Sequence, residues 1–133
     1  MPEPRTWYRD PNHEEFFIPL PDKQHELRLR VRLSKRKIRN SNRKQLVEFF
    51  IGLEIYTHED WKTIIAYCNR HEKVVKFHIH NKKRLKTVWG SNYKIPMRIA
   101  NKRVPASQFR WSKKNLIHYF NYYAKQYIKR VER

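Results

Sequence analysis

The chain has 133 residues, the size of one ordinary domain, and carries a formal net charge of +19 with a pI near 10.4. An apolar share of 39% supports a buried core and excludes a disordered basic tail. Two glycines, Gly52 and Gly90, exclude a Gly-rich phosphate loop, and the lone Cys68 excludes an internal disulfide.

Residues 1–22 hold five of the seven prolines: Pro2, Pro4, Pro11, Pro19 and Pro21. Proline removes ladder donors and blocks helix interiors, so this stretch reads as an extended arm. Trp7, Tyr8, Phe16, Phe17 and Ile18 would anchor it. Glu3, Asp10, Glu14, Glu15 and Asp22 would cover part of a basic surface. Residues 23–133 read as a single basic α+β domain.

Leu27 to Leu33 alternates without error, which predicts a strand with Leu27, Leu29, Val31 and Leu33 on the core face. Arg28, Arg30 and Arg32 then line the opposite face as a phosphate-binding row. Lys35, Arg36, Lys37 and Arg39 extend the basic tract, with Arg43 and Lys44 after them, and the run from Ser34 to Lys44 reads as a mobile basic loop. Leu46 to Tyr56 is a second strand, with Val47, Phe49, Ile51, Leu53 and Ile55 on one face and Glu48 and Glu54 on the other.

A turn at Thr57-His58-Glu59-Asp60 leads to a third strand, Trp61 to Cys68. Val74 to His80 and Arg84 to Trp89 would be the fourth and fifth, joined by a tight turn at Asn81-Lys82. Residues 90–110 read as an irregular connection. Ser112 is the expected N-cap of a C-terminal helix whose buried stripe is Leu116, Phe120, Tyr123, Tyr127 and Val131. The expected architecture is an antiparallel β-meander of about five strands packed against a C-terminal helix.

The 59 residues from Lys73 to Val131 carry 16 Lys or Arg and no acid. So one-sided a charge repels itself and calls for a polyanion, of which nucleic acid is the first choice. No apolar run spans a bilayer and no signal peptide is evident, so a cytoplasmic protein is expected.

Chemistry would centre on His78 and His80, two apart on a strand and therefore on one side of it. His71 could join them from the neighbouring strand, with Tyr67, Lys76, Asn69 and Arg84 nearby. One His would take the proton of an RNA 2′-hydroxyl, another would protonate the leaving oxygen, and Lys or Arg would stabilise the phosphorane. No metal is needed. A divalent ion such as Mg²⁺ or Mn²⁺ on His78, His80 and Glu72 is the alternative, but the acid-free half supplies no carboxylate. A non-catalytic alternative places the arginine row on phosphates and stacks Trp89, Tyr93 or Trp111 on bases.

The block from Trp61 through Tyr67-Cys68-Asn69-Arg70-His71 to His78-Ile79-His80 resembles the small TumE-like toxins of prokaryotic toxin–antitoxin operons. Cys68 stands where that group tends to have aspartate. The resemblance implies a toxin-like effector acting on RNA, with an acidic antitoxin as protein partner. His78-Ile79-His80 also resembles the His-hydrophobic-His signature of HUH endonucleases. That likeness implies a metal-dependent nickase of single-stranded DNA with Tyr119, Tyr122 or Tyr123 as nucleophile, Tyr122 and Lys125 giving a Tyr-x-x-Lys spacing. RNA is favoured over DNA between the two.

Overall fold

The computed structural model describes residues 13–71, 74–80, 97–100 and 104–131. Five strands form one antiparallel sheet in chain order: β1 (His13–Leu20), β2 (Glu26–Lys37), β3 (Lys44–Thr57), β4 (Asp60–His71) and β5 (Val74–His80). A one-turn α1 (Met97–Ala100) precedes α2 (Pro105–Val131), which packs on β3 and β4. This is the expected α+β meander. Its fifth strand is β1, taken from the expected arm; the expected strand at 84–89 and the turn Asn81-Lys82 lie outside the described residues.

The alternation read from the sequence sets the two faces. Leu27, Leu29, Val31 and Leu33 of β2 and Phe49, Ile51, Leu53 and Ile55 of β3 are all buried in the core. Ile64, Ile65 and Tyr67 of β4 join them, as do Leu116, Tyr123, Ala124 and Tyr127 of α2. Phe49 meets Phe109 edge-on with ring centroids 5.7 Å apart, which ties the sheet to the first turns of the helix.

The β1 strand forms although Pro19 sits within it, because an edge strand tolerates a missing ladder donor. The link to β2 is fixed by Asp22, whose carboxylate accepts from the backbone N–H of His25 at 2.7 Å and of Gln24 at 3.2 Å. The β3–β4 hairpin turns at His58 and Glu59, both left-handed with φ of 52° and 64°. Two positive φ values in a row are the pattern of a type I′ turn.

Two local expectations are corrected. Helix α2 starts at Pro105, where the fixed φ and absent N–H suit a first helical position; Val104 O accepts from Ser107 N at 3.1 Å and Gln108 N at 3.2 Å. Ser112 is therefore buried in mid-helix rather than a cap, and its hydroxyl donates to Gln108 O at 2.8 Å. The expected loop at 34–44 is mostly ladder: β2 runs to Lys37 and β3 begins at Lys44.

Asn69 extends the β3–β4 ladder with its side chain. Backbone pairing ends at Phe50 and Cys68. The buried Asn69 amide then accepts from Phe49 N at 2.8 Å and donates to Val47 O at 2.9 Å. Asn69→Ala leaves a buried backbone donor bare and is expected to cost about 1–3 kcal/mol by urea denaturation. Glu59→Gly relieves a left-handed side-chain residue and is expected to gain about 1 kcal/mol in the same assay.

Candidate nucleic-acid interface

The arginine row forms on the sheet face away from α2, but its members pair with acids of the neighbouring strands. Glu15, on β1, stands opposite Arg32 and accepts from its Nε at 2.6 Å. Glu54, on β3, stands opposite Arg28 and accepts from its Nε at 2.7 Å. Arg30 lies between them, 3.4 Å from Glu15 and 3.8 Å from Glu54. Arg28 is also held between two rings, 4.0 Å from the Phe17 centroid and 3.8 Å from that of Trp61. The Arg32 side chain is only 2% exposed; burial pulls its pKa down to about 10, against the opposing pull of Glu54. The physical reason for the correction is pairing: the acids expected to cover the basic surface do so at Glu15, and Glu54 does the rest.

The register carries the arginine rows across the sheet to β5. The hydrogen-bond register aligns Arg32, Phe50, Cys68 and His78 in one row across the sheet, and Arg30, Gly52, Ala66 and His80 in the next. Three strand spacings, about 14 Å, separate β2 from β5 along each row. Phe50, Ala66 and Cys68 form a small buried cluster between them. Gly52 lets the strands pack closely there: an added Cβ would lie 3.2 Å from the Phe50 ring and 3.3 Å from Ala66 Cβ, so a neighbour would have to give way by a few tenths of an ångström.

His71 pairs with Val74 at the far end of β4, three residues beyond the Cys68–His78 pair, or about 10 Å along the strand. It is not a register neighbour of the other two. Lys76 lies in β5; Glu72 and Arg84, like Trp89 and Tyr93, lie outside the described residues.

Tyr67 belongs to the other face. It is fully buried under α2, edge-on to Trp111 at 5.5 Å, and its hydroxyl donates to Asn115 Oδ1 at 3.1 Å. The Tyr123 hydroxyl donates to the same oxygen. Burial raises the pKa of both phenols, and neighbouring Tyr123 raises Tyr67 further. A phenol so held is neither base nor nucleophile at neutral pH, and its partner across β5 is Ile79, not a histidine. Tyr119 and Tyr122 also pack against the core, on the sheet face away from the rows that hold His78 and His80.

Among the described residues, exposed cations gather in two places, with Lys23 and Arg98 apart from both. The first is the end of the β2–β3 hairpin. Lys35 pairs with Leu46, Arg36 with Gln45 and Lys37 with Lys44. Ile38 N donates to Arg43 O at 2.9 Å, Ser41 N to Ile38 O at 3.1 Å, and Arg43 N to Ser41 Oγ at 3.1 Å. Asn40 supplies the left-handed residue, with φ of 60°. Arg36, Lys37, Arg39, Arg43 and Lys44 are all exposed, and residues 35–47 contain no acid. Lys35 alone reaches one, Glu14, at 3.4 Å. Among the described residues, no third strand flanks this end: β1 pairs with β2 only as far as Ser34, and β4 with β3 only from Phe50. A built two-stranded ribbon therefore replaces the expected mobile loop.

The second place is the outer stripe of α2. Arg110, Lys114, Ile117, His118, Asn121, Lys125 and Lys129 are exposed at helical spacing, and the helix holds no acid. Beside this stripe a shallow cleft is lined by Trp111, Lys114, Asn115, Ile117, His118 and Tyr119.

Among the described residues, no group of three His, Cys, Asp or Glu is placed to hold a metal ion, and no helix is long and apolar enough to cross a membrane. Comparison with protein-family models, with characterised proteins and with solved structures finds no match.

Sequence reasoning misses the pairing of Glu15, the ribbon and the Tyr67–Asn115–Tyr123 cluster. The ribbon has a signal: no Gly or Pro interrupts residues 34–38 or 43–46, and Asn40-Ser41-Asn42 is a turn-forming triplet.

Two outcomes follow. Glu54→Ala leaves guanidiniums without their buried partner and is expected to cost about 3–5 kcal/mol in chemical denaturation. The raised phenol pKa values of Tyr67, Tyr123 and Tyr127 mean that the unfolded chain loses these protons first. Stability is therefore expected to be full below the ordinary tyrosine value of 10.0 and to fall as pH rises above it. Tyr67→Phe should flatten that alkaline fall in a series of thermal melts.

Proposed function

We propose that this chain binds nucleic acid, with the β2–β3 ribbon as its principal phosphate contact and the outer stripe of α2 as a second. The observation that carries the reading is Lys37 directly opposite Lys44 at the end of the ribbon. Like charges facing each other across a ladder destabilise it. Here they are flanked by Arg36, Arg39 and Arg43, with no acid anywhere in residues 35–47. A polyanion bound there would replace that repulsion with attraction. The contrast with Arg28, Arg30 and Arg32, which have acidic partners on the neighbouring strands, supports a division of labour between structural and exposed cations.

A second reading has its own observation. The backbone register sets His78 on the row of Arg32 and His80 on the row of Arg30. Two histidines spaced in this way on one strand suit metal-free acid–base cleavage of RNA. The toxin-like role implied by the resemblance belongs with this reading, and an acidic antitoxin would be its protein partner. RNA cleavage in EDTA that disappears in both His78→Ala and His80→Ala supports it. Cleavage that persists in both variants counts against it. For the tyrosine-nucleophile alternative, Tyr123 belongs to the core and Tyr119 and Tyr122 pack against it.

The test of the main reading is a single substitution with two readouts. Lys37→Thr removes the facing cation and places a good strand former on the ladder. It is expected to raise stability by about 0.2–1 kcal/mol and, in the same protein, to weaken binding to nucleic acid. A variant that gains stability and binds as tightly as the parent would show that the ribbon is not the phosphate contact.

A further inference from the structure

The ribbon carries one feature that phosphate binding does not explain. Ile38, at its tip, is 39% exposed and belongs to neither hydrophobic cluster. It follows Lys37 and precedes Arg39 in an otherwise polar segment. Its backbone is not loose. Ile38 N–H and C=O are both engaged, with Arg43 O at 2.9 Å and Ser41 N at 3.1 Å, so the side chain is presented from a pinned turn. A β-branched apolar side chain fixed at the end of a cationic finger gains nothing from water and loses little entropy on burial.

We propose that Ile38 is a wedge that enters between stacked base pairs of duplex DNA, with Lys37, Arg39 and Arg43 on the phosphates beside it. This rests on the nucleic-acid reading above and adds the ligand class and the mode of contact. Apolar side chains set among basic residues part a base step from the minor groove and bend the duplex away from the wedge. Flexible pyrimidine–purine steps yield most easily. The ribbon fits this task by its shape: two strands closed by a short turn make a narrow tip, and its cations flank the apolar residue on both strands. A-form RNA offers a wide, shallow minor groove instead and is recognised mainly through its 2′-hydroxyls and phosphates. DNA is therefore the duplex this tip suits.

The experiment measures binding by fluorescence anisotropy and bending by end-to-end energy transfer. The probes are a DNA duplex with a central TA step, an RNA duplex of matching sequence, and the single strands. The full chain and its Ile38→Ser and Ile38→Leu variants are compared. The wild-type chain is expected to bend the DNA duplex by about 20–90°. Ile38→Ser should bind it within about tenfold of wild type but leave it straight, while Ile38→Leu restores the bend. Far-UV circular dichroism should be the same for all three, since the side chain is exposed. Equal bending by wild type and Ile38→Ser, or tight binding with no bend, overturns the wedge and leaves the nucleic-acid reading standing. Binding confined to RNA or to single strands overturns the choice of duplex DNA. Failure to bind any of the probes overturns both readings together.

Discussion

Three guanidiniums on β2 and two carboxylates on the strands beside it decide which cations of this chain meet a partner. Arg28, Arg30 and Arg32 share Glu15 and Glu54 across the face of the sheet that turns away from α2. Without those acids the middle of the sheet would hold three buried or half-buried like charges about 7 Å apart along one strand, which the modest stability of a small domain could not absorb. With them, β1 is held to β2 by charge as well as by backbone hydrogen bonds, and Arg28 fills the space between Phe17 and Trp61. The net charge of +19 is then left to other parts of the molecule.

Those parts differ in their architecture. The ribbon is an outgrowth of the best-packed strands, β2 and β3, so its root is anchored in the core while its end has no described strand neighbour. The outer stripe of α2 is the reverse: a flat row of cations on a helix whose opposite side closes the core. A finger and a flat face can engage one polyanion at two points, and two contacts on one ligand strengthen each other through effective concentration. The rows of His78 and His80 continue those of the paired Arg32 and Arg30, about 14 Å away across the sheet.

Most of the fold is legible in the sequence because it follows local rules. Strict alternation over residues 27–33 and an apolar residue at every second position from 49 to 55 fix two strands and their faces, and the helical recurrence of Leu116, Tyr123 and Tyr127 fixes the buried side of α2. The turn at His58-Glu59 is visible from its flanking strands. What cannot be read depends on pairing between distant residues. Nothing in the neighbourhood of Glu15 announces that it will stand opposite Arg32, because that follows from the register of β1 on β2. Pro19 argues for an arm, and an edge position overrides it. Ser112 resembles a cap because its neighbours are polar, but Pro105 starts the helix two turns earlier. At the candidate site, the cations of residues 35–44 are plain in the sequence while their ribbon geometry is not. Sequence proximity groups Tyr67 with His78 and His80, although the register sets it opposite Ile79, between their rows, and its side chain is buried under α2.

The central claim is that the exposed ribbon, and not the paired arginine row, neutralises phosphates. Its most direct measurement is the salt dependence of DNA binding for the wild-type chain and for a variant with Arg36, Lys37, Arg39, Arg43 and Lys44 all changed to Gln. Each phosphate that the variant no longer neutralises lowers the slope of log affinity against log salt by about 0.9. A slope shallower by about 3–4 is the result this account predicts. An unchanged slope with the fold intact would contradict it.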